Sequence, residues 1–138
     1  MRVTADNQDA LLDGFYRLES DGHGGPFRWT GPSRAFRIRV AIDRRLDFQG
    51  ALILLGSESK LNLSNIQCNV DGTDVELEQN SKTYPYKYSF RLPRRRSPAP
   101  TLFEFITRET ISPIRFGAVV DDRKLGVIFS ELVLTRLP

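Results

Sequence analysis

The chain has 138 residues, of which 40% are hydrophobic, including nine Phe and four Tyr. This length and apolar content fit one domain with a single hydrophobic core. Twenty Lys and Arg against seventeen Asp and Glu leave a net charge of only +3. Because the basic residues alternate with apolar ones, we expect them to lie on solvated strand faces, and we expect no nucleic-acid partner.

The single cysteine, Cys68, excludes an intrachain disulfide and any zinc site with several cysteine ligands. A cytoplasmic location is the simplest interpretation of this cysteine usage. The longest apolar run, residues 51–55, is far shorter than the ~18 residues that a membrane helix needs. The first residues contain no apolar stretch after their charge, so we expect neither a secretory signal nor a membrane span.

Residues 1–13 are mostly polar and predict a loose N-terminal arm or one short helical turn. From Phe15 onward the period-2 alternation of β-strands takes over. The alternation is clearest over residues 36–40, where apolar side chains at even positions alternate with arginines at odd positions. One buried face and one wet face are typical of an antiparallel sheet.

Residues 71–74 (Asp-Gly-Thr-Asp) predict a turn between two alternating runs, residues 66–70 and residues 75–77. An Asp-Gly pair in this position is a strong signal for a β-hairpin with a tight turn. A further strand is predicted over residues 84–92, where five even positions are aromatic or Leu, and Pro85 places its start at an edge or an irregular entry.

The prolines and arginines of residues 93–100 predict a surface loop. Three more strands are expected over residues 102–106, 114–119 and 125–137, with a turn at residues 121–124 between the last two. Eight or nine short strands without a long amphipathic helix predict an all-β fold.

The predicted architecture is an antiparallel two-sheet β-sandwich of jelly-roll or galactose-binding-like type, formed by residues 14–138 as a single domain. The alternation also predicts which side chains point into the core. These are Phe36, Ile38, Val40, Cys68, Val75, Leu77, Phe103, Phe105, Val127 and Phe129.

Two sequence motifs stand near the ends of the chain. The opening motif comprises residues 14–19 (Gly-Phe-Tyr-Arg-Leu-Glu) and residues 27–32 (Phe-Arg-Trp-Thr-Gly-Pro), and the closing motif is residues 121–127 (Asp-Asp-Arg-Lys-Leu-Gly-Val). In this order the chain resembles, over residues 14–137, a small β-sandwich domain of bacterial polysaccharide-assembly proteins. That domain accompanies glycosyltransferase domains and is similar to carbohydrate-binding modules.

The resemblance implies a non-catalytic accessory domain, with an oligosaccharide and a glycosyltransferase domain as possible partners. It supplies no catalytic residues. The loop at Arg94, Arg95 and Arg96 is not part of the pattern. The usual role of such a loop is a solvated surface, and the alternative is contact with phosphate, an acidic glycan or an anionic lipid surface.

The candidate ligand-binding residues are aromatic or cationic. Tyr84, Tyr86 and Tyr88 share one face of the predicted strand and, with Arg91, offer stacking surfaces, hydroxyls and a charge to a sugar. The competing interpretation is that Tyr88 belongs to the core and the other two tyrosines lie at its rim. Trp29, the only Trp, can stack on a sugar ring, but packing is favoured for a lone Trp in an early strand. The binding candidates are therefore Tyr84, Tyr86, Arg91 and Trp29.

Other polar residues give weaker signals. Arg28 and Glu19 predict a structural ion pair, with the aspartates at 121–122 as competing partners. His23 lies in a Gly-rich loop, and no Gly-x-Ser-x-Gly turn supplies a nucleophile for it. We expect no catalytic residue, no cofactor and no metal ligand. A calcium ion held by Asp21 and residues 121–122 is the alternative left open.

Two functions compete at this point. The first is a carbohydrate-binding accessory domain of bacterial polysaccharide biosynthesis. The second is a structural or protein-interaction scaffold without a small ligand. An enzyme is disfavoured because no acid–base pair or activated nucleophile stands out. Exposure of Tyr84, Tyr86 and Trp29 would favour sugar binding, and their burial would favour a scaffold. The sequence does not predict the oligomeric state.

Overall fold

The computed structural model describes residues 1–20, 25–112 and 123–138. Within these ranges there are twelve strands and one helix, α1 (Lys60–Ser64), and no helix there is long and apolar enough to span a membrane. The strands are β1 (Arg2–Thr4), β2 (Leu11–Asp13), β3 (Glu19–Ser20), β4 (Pro26–Trp29), β5 (Ala35–Val40), β6 (Phe48–Ser57), β7 (Gln67–Val70), β8 (Thr73–Val75), β9 (Glu78–Ser81), β10 (Tyr86–Leu92), β11 (Thr101–Ile106) and β12 (Val127–Arg136).

The strands form two antiparallel sheets that pack against each other. The seven-stranded sheet has the order β3-β4-β12-β6-β10-β9, with β1 also paired to β12, and the five-stranded sheet has the order β2-β5-β11-β7-β8. The predicted all-β, two-sheet sandwich is therefore confirmed. The described strands outnumber the eight or nine expected because several have only two to four residues, too few to show a period.

The core lies between the inner faces of the two sheets and is rich in aromatic rings. Phe90 of the seven-stranded sheet contacts Phe103 and Phe105 of the five-stranded sheet, with ring centroids 5.9 and 6.2 Å apart. Among the side chains predicted to point inward, Val75 and Leu77 are partly buried against this core and all the others are buried. Edge-on aromatic pairs of this kind add about 0.5–1.5 kcal/mol each beyond the area they bury.

The predicted Asp-Gly hairpin is confirmed, but its turn is shorter than the four residues expected, because Thr73 and Asp74 belong to β8. Strands β7 and β8 pair with Val70 opposite Thr73, so Asp71 and Gly72 form a two-residue turn. Their φ angles are 50° and 89°. Positive φ at both central positions defines the type I′ turn, whose twist matches that of the flanking strands.

Residues 1–13 differ from the expected arm or helical turn, because they add a strand to each sheet. In β1, Val3 lies opposite Leu132 of β12, and in β2, Leu12 lies opposite Ile38 of β5. Val3 is buried. Each strand has three residues, which is too short for a visible alternation. In addition, β1 pairs with β12, which is distant from it in the sequence.

The opening and closing motifs meet in their described parts. The backbone N–H of Thr30 donates to the Val127 carbonyl at 2.9 Å, and the Gly126 N–H donates to the Thr30 carbonyl at 2.8 Å. The Val127 N–H donates to the Thr30 hydroxyl at 3.0 Å. The Tyr16 hydroxyl donates to the Lys124 carbonyl, also at 3.0 Å. These contacts give both motifs a structural role in closing the seven-stranded sheet.

Candidate functional site

The three tyrosines near the start of β10 differ in exposure. Tyr88 is 2% exposed, and its hydroxyl donates to the carbonyl oxygen of Leu63 in α1. Burial of this phenol, with a smaller contribution from Tyr86, raises the pKa of Tyr88 to about 12. Tyr86 is half-buried against the core, and Tyr84, which precedes the strand, is 64% exposed. The arrangement matches the interpretation in which Tyr88 is core and the other two tyrosines lie at the rim.

Arg91 lies on the opposite face of β10 from Tyr86. Successive side chains of a strand point to opposite faces, so residues at even and odd positions separate. Tyr88 and Phe90 face the core, whereas Arg91 is exposed and pairs with Gln49 of β6 on the outward side. The structure therefore does not bring Arg91 together with Tyr86. Their even and odd residue numbers are the sequence signal that could have placed Tyr86 and Arg91 on opposite faces of the strand.

The outward side of the seven-stranded sheet, called here the outer face, carries aligned rows of side chains across β10, β6 and β12. In β6 the half-buried residues alternate with the buried ones that face the core, which identifies the outward set. The register gives three rows: Lys87, Ile53 and Glu131; Ser89, Ala51 and Val133; and Arg91, Gln49 and Thr135.

A groove of about 470 Å³, called here the outer groove, lies on this face. Its floor is built from the small residues Gly50, Ala51 and Ser89, and the apolar side chains of Ile53 and Val133 line it beside them. Its rim is polar and includes Gln49, Asn80, Lys87, Glu131 and Thr135. Small side chains between larger polar ones leave a depression in which a ligand can contact the sheet and reach hydrogen-bonding groups at the same time.

A second hollow, of about 560 Å³, adjoins the outer groove and shares Gln49 and Ser89 with it. Arg91, Glu76 and Glu78 line this hollow together with the apolar residues Val75, Leu77 and Phe90. The structure therefore places Arg91 among polar residues of the outer face. Sequence reasoning missed Gln49 and Ser89 because it searched for aromatic residues, although Ser89 stands at an outward, odd position of the predicted strand.

Trp29 lies on the same outer face but toward the other end of β12. It pairs with Ile128, which points outward between the buried Val127 and Phe129. The indole is half-buried. With Tyr84 exposed and both Tyr86 and Trp29 half-buried, exposure of the aromatic residues does not separate sugar binding from a scaffold role.

The predicted Arg28–Glu19 ion pair is not formed. The Arg28 guanidinium donates to the carbonyl oxygens of Ala5 at 2.7 Å and Tyr16 at 3.0 Å. Glu19 instead accepts from Arg123 of the closing motif at 3.3 Å. Arg28 pairs with the inward-facing Phe129, so its side chain points to the inner side of the sheet, where backbone carbonyls lie within its reach.

Several sequence candidates lie outside the described residues: His23, Asp21, the aspartates at 121–122 and the strand expected at 114–119. In the part of the chain that is described, no group of three or more His, Cys, Asp and Glu side chains is arranged to hold a metal ion. Cys68 is buried, and this burial raises the pKa of its thiol to about 12, as expected of a packed side chain.

No family model matches the chain, and no curated protein matches it significantly. We therefore infer the function from the geometry of the outer face and from the residues that form it.

Proposed function

We propose that this domain is a non-catalytic carbohydrate-binding module that holds an oligosaccharide in the outer groove. The observation that carries the proposal is the combination of a floor of small residues with a polar rim on the open face of a sheet. The sequence resemblance and the single, buried Cys68 support an accessory role beside a glycosyltransferase domain in the bacterial cytoplasm.

The rim residues have the hydrogen-bonding capacity that a sugar requires. Within the described ranges, the side chains of Gln49, Asn80, Lys87 and Ser89 have no hydrogen-bond partner in the protein. An amide and a hydroxyl both donate and accept, and an ammonium donates three bonds. Sugar hydroxyls also donate and accept, so these groups are complementary to a neutral glycan. The groove is open, and we expect weak binding.

Glu131 adds a fixed acceptor to the rim. Its carboxylate is held by Arg2, whose Nε donates at 2.8 Å. A carboxylate oxygen offers more than one acceptor site, so Glu131 can accept a ligand hydroxyl while it remains paired with Arg2. A positioned acceptor opposite Lys87 and Ser89 supports recognition of a polyhydroxylated ring from two sides.

The proposal is tested by titrating the protein with maltohexaose, cellohexaose and xylohexaose at millimolar concentration while recording amide resonances. We expect saturable shifts in β6, β10 and β12 near the outer groove. Ser89→Phe fills the groove and should abolish the shifts. Arg39→Phe adds the same ring to an exposed position of β5 in the other sheet and should leave them unchanged.

Three outcomes would contradict the outer groove as an oligosaccharide-binding site. Shifts that persist in Ser89→Phe would show that the ligand lies elsewhere. Shifts confined to residues 84–86 would favour the exposed rim at Tyr84 and Tyr86, which the sequence analysis predicts. No response to any oligosaccharide would reject sugar binding for the glycans used.

A protein-interaction scaffold is the second candidate function. It is favoured by apolar side chains on the outer face, since Ile53, Ile128 and Val133 point outward and are only half-buried. A partner protein docked there would cover this apolar surface. The absence of any oligosaccharide response in a protein whose spectrum is that of the folded domain would favour this function.

A further inference from the structure

One end of the sandwich carries a cluster of five arginines, called here the arginine end: Arg44, Arg45, Arg94, Arg95 and Arg96. They come from the loop between β5 and β6 and the loop between β10 and β11. The two loops are joined directly, because the backbone N–H of Arg95 donates to the Arg44 carbonyl at 2.6 Å. The sequence alone places only three of these arginines together.

Arg44 is the buried member of the arginine end and connects its two loops to the rest of the fold. Its side chain is buried, and its guanidinium donates to Asp71 at 2.7 Å, to the Thr101 hydroxyl at 3.1 Å and to the Pro93 carbonyl at 3.0 Å. These bonds connect both loops to the β7–β8 turn and to β11. Arg44 is therefore a structural residue of the cluster.

Arg95 is held by the same carboxylate. Its guanidinium donates to Asp71 and to the Ala99 carbonyl. The second oxygen of Asp71 accepts from the Leu102 N–H at 2.9 Å. With Arg44, three donors occupy this carboxylate, which fixes the position of Arg95 beside the exposed arginines.

The other three arginines are exposed, and two of them pair with a carboxylate. Arg45 donates to both oxygens of Asp43, through Nε at 2.9 Å and Nη2 at 2.8 Å, and this pairing lowers the pKa of Asp43 to about 2. Arg94 lies 3.3 Å from Asp47. Arg96 has no ion pair or hydrogen bond among the residues that the structure describes. Arg94 and Arg96 can turn a guanidinium toward a ligand, and Arg45 can offer its Nη1 group, which has no partner among the described residues.

Four of the arginine side chains surround one hollow. Arg45, Arg94, Arg95 and Arg96 line a space of about 390 Å³, and no carboxylate is among the residues lining it. A neighbouring hollow of about 450 Å³ shares Arg45 and Arg96 and is also lined by Asp43, the partner of Arg45. Like charges gathered around one space repel each other, and an anion placed among them converts this repulsion into attraction.

We propose that this arginine hollow binds a phosphate or sulfate group. Arg45, Arg94 and Arg96 donate to its oxygens, and Arg95 contributes a fixed charge. The planar guanidinium matches two oxygens of an oxyanion at once. A tetrahedral oxyanion has enough acceptor oxygens for three such donors, whereas a single carboxylate has two. The site is separate from the outer groove and does not rest on the proposed sugar binding.

The test uses inorganic phosphate and inorganic sulfate as probes, with amide resonances and arginine Nε–H resonances as the measurement. Saturable shifts are expected at residues 43–47 and 93–97. The variant Arg94→Gln/Arg96→Gln should weaken binding by about a hundredfold, because it removes two charge-assisted bonds and each is worth roughly tenfold.

The matched control is Arg17→Gln/Arg39→Gln, which removes the same charge from exposed positions outside the arginine end. It should leave phosphate affinity nearly unchanged. Equal weakening by both double variants would overturn the proposal, because binding would then follow net charge and not the hollow. The absence of saturable shifts with either anion would also overturn it.

A phosphorylated sugar and an anionic lipid headgroup carry the same group, and two further probes distinguish them. Glucose 6-phosphate tests a soluble source, and phosphatidylcholine vesicles containing phosphatidylglycerol test a membrane source. Loss of the response to either probe in Arg94→Gln/Arg96→Gln, but not in the control, supports the hollow. Vesicle binding that both double variants retain contradicts it.

Discussion

Arg44 and Asp71 form an ion pair that ties two distant turns together. The Nη1 of Arg44 donates to Oδ2 of Asp71 at 2.7 Å, and the two side chains are 5% and 26% exposed. Asp71 also occupies the first central position of the type I′ turn between β7 and β8, with φ of 50°. The residue that permits the turn is thus the same one that neutralises the buried guanidinium.

Asp71→Asn should destabilise the domain by about 2–3 kcal/mol. Removing one partner of a buried pair leaves the other charge uncompensated and costs about 3–5 kcal/mol when both are fully buried, and the exposure of Asp71 reduces that cost. Asn tolerates the left-handed conformation, so the turn is kept. The measurement is urea unfolding followed by circular dichroism.

The control for this variant is Asp43→Asn, which breaks the exposed Asp43–Arg45 pair. Exposed pairs contribute little to stability. We therefore expect the unfolding midpoint of Asp43→Asn to stay near that of the parent protein. Similar midpoints for both variants would mean that the Arg44 charge is solvated in the native state.

Tyr88→Phe should cost about 1–3 kcal/mol, because it leaves the buried Leu63 carbonyl without its donor. The control is Tyr86→Phe, since Tyr86 is half-buried and its hydroxyl has no partner among the described residues. A loss of stability equal to that of the control would show that water replaces the missing donor.

The raised pKa of Tyr88 also predicts a pH dependence in the alkaline range. Its phenol has an ordinary pKa of 10.0 and a native pKa of about 12, because burial disfavours the charged form. Its contribution to stability is complete below the ordinary pKa and is lost as the pH rises from 10.0 to about 12. The absorbance of phenolate, compared between the parent protein and Tyr88→Phe, reports this titration.

Much of the fold could be predicted from the sequence because alternation directly encodes which face is buried. In β5 and β10 the even positions are apolar and face the core, as the pattern indicates. The pattern fails for β1 and β2, which have three residues each. Their pairing depends on partners elsewhere in the chain, and no local period reports it.

The candidate site could be predicted only in part, for a related reason. Parity separates Tyr86 from Arg91, but the register that aligns Ser89 with Ala51 and Val133 arises from tertiary pairing. Similarly, the sequence shows the arginine run at 94–96 but not the approach of Arg45 from another loop. Both surfaces are assembled from segments that are far apart in the chain.

Gly50 of β6 lies where the core beneath the outer groove is packed too tightly for a side chain. It lies directly opposite Phe90, and a Cβ atom added to it would overlap the Phe90 ring. This ring is buried and packs against Phe103 and Phe105, so it has little space to move. Gly50→Ala should therefore destabilise the domain by about 1–3 kcal/mol, the usual cost of overpacking a core.

The cause is tested by a double-mutant cycle with Phe90→Leu, measured by urea unfolding. The shorter side chain of Leu leaves room for the added methyl group. Gly50→Ala should consequently cost less in the Phe90→Leu background than in the parent protein, because residues in direct contact are not additive. Equal costs in both backgrounds would show that the penalty arises in the backbone of β6 and not from the ring of Phe90.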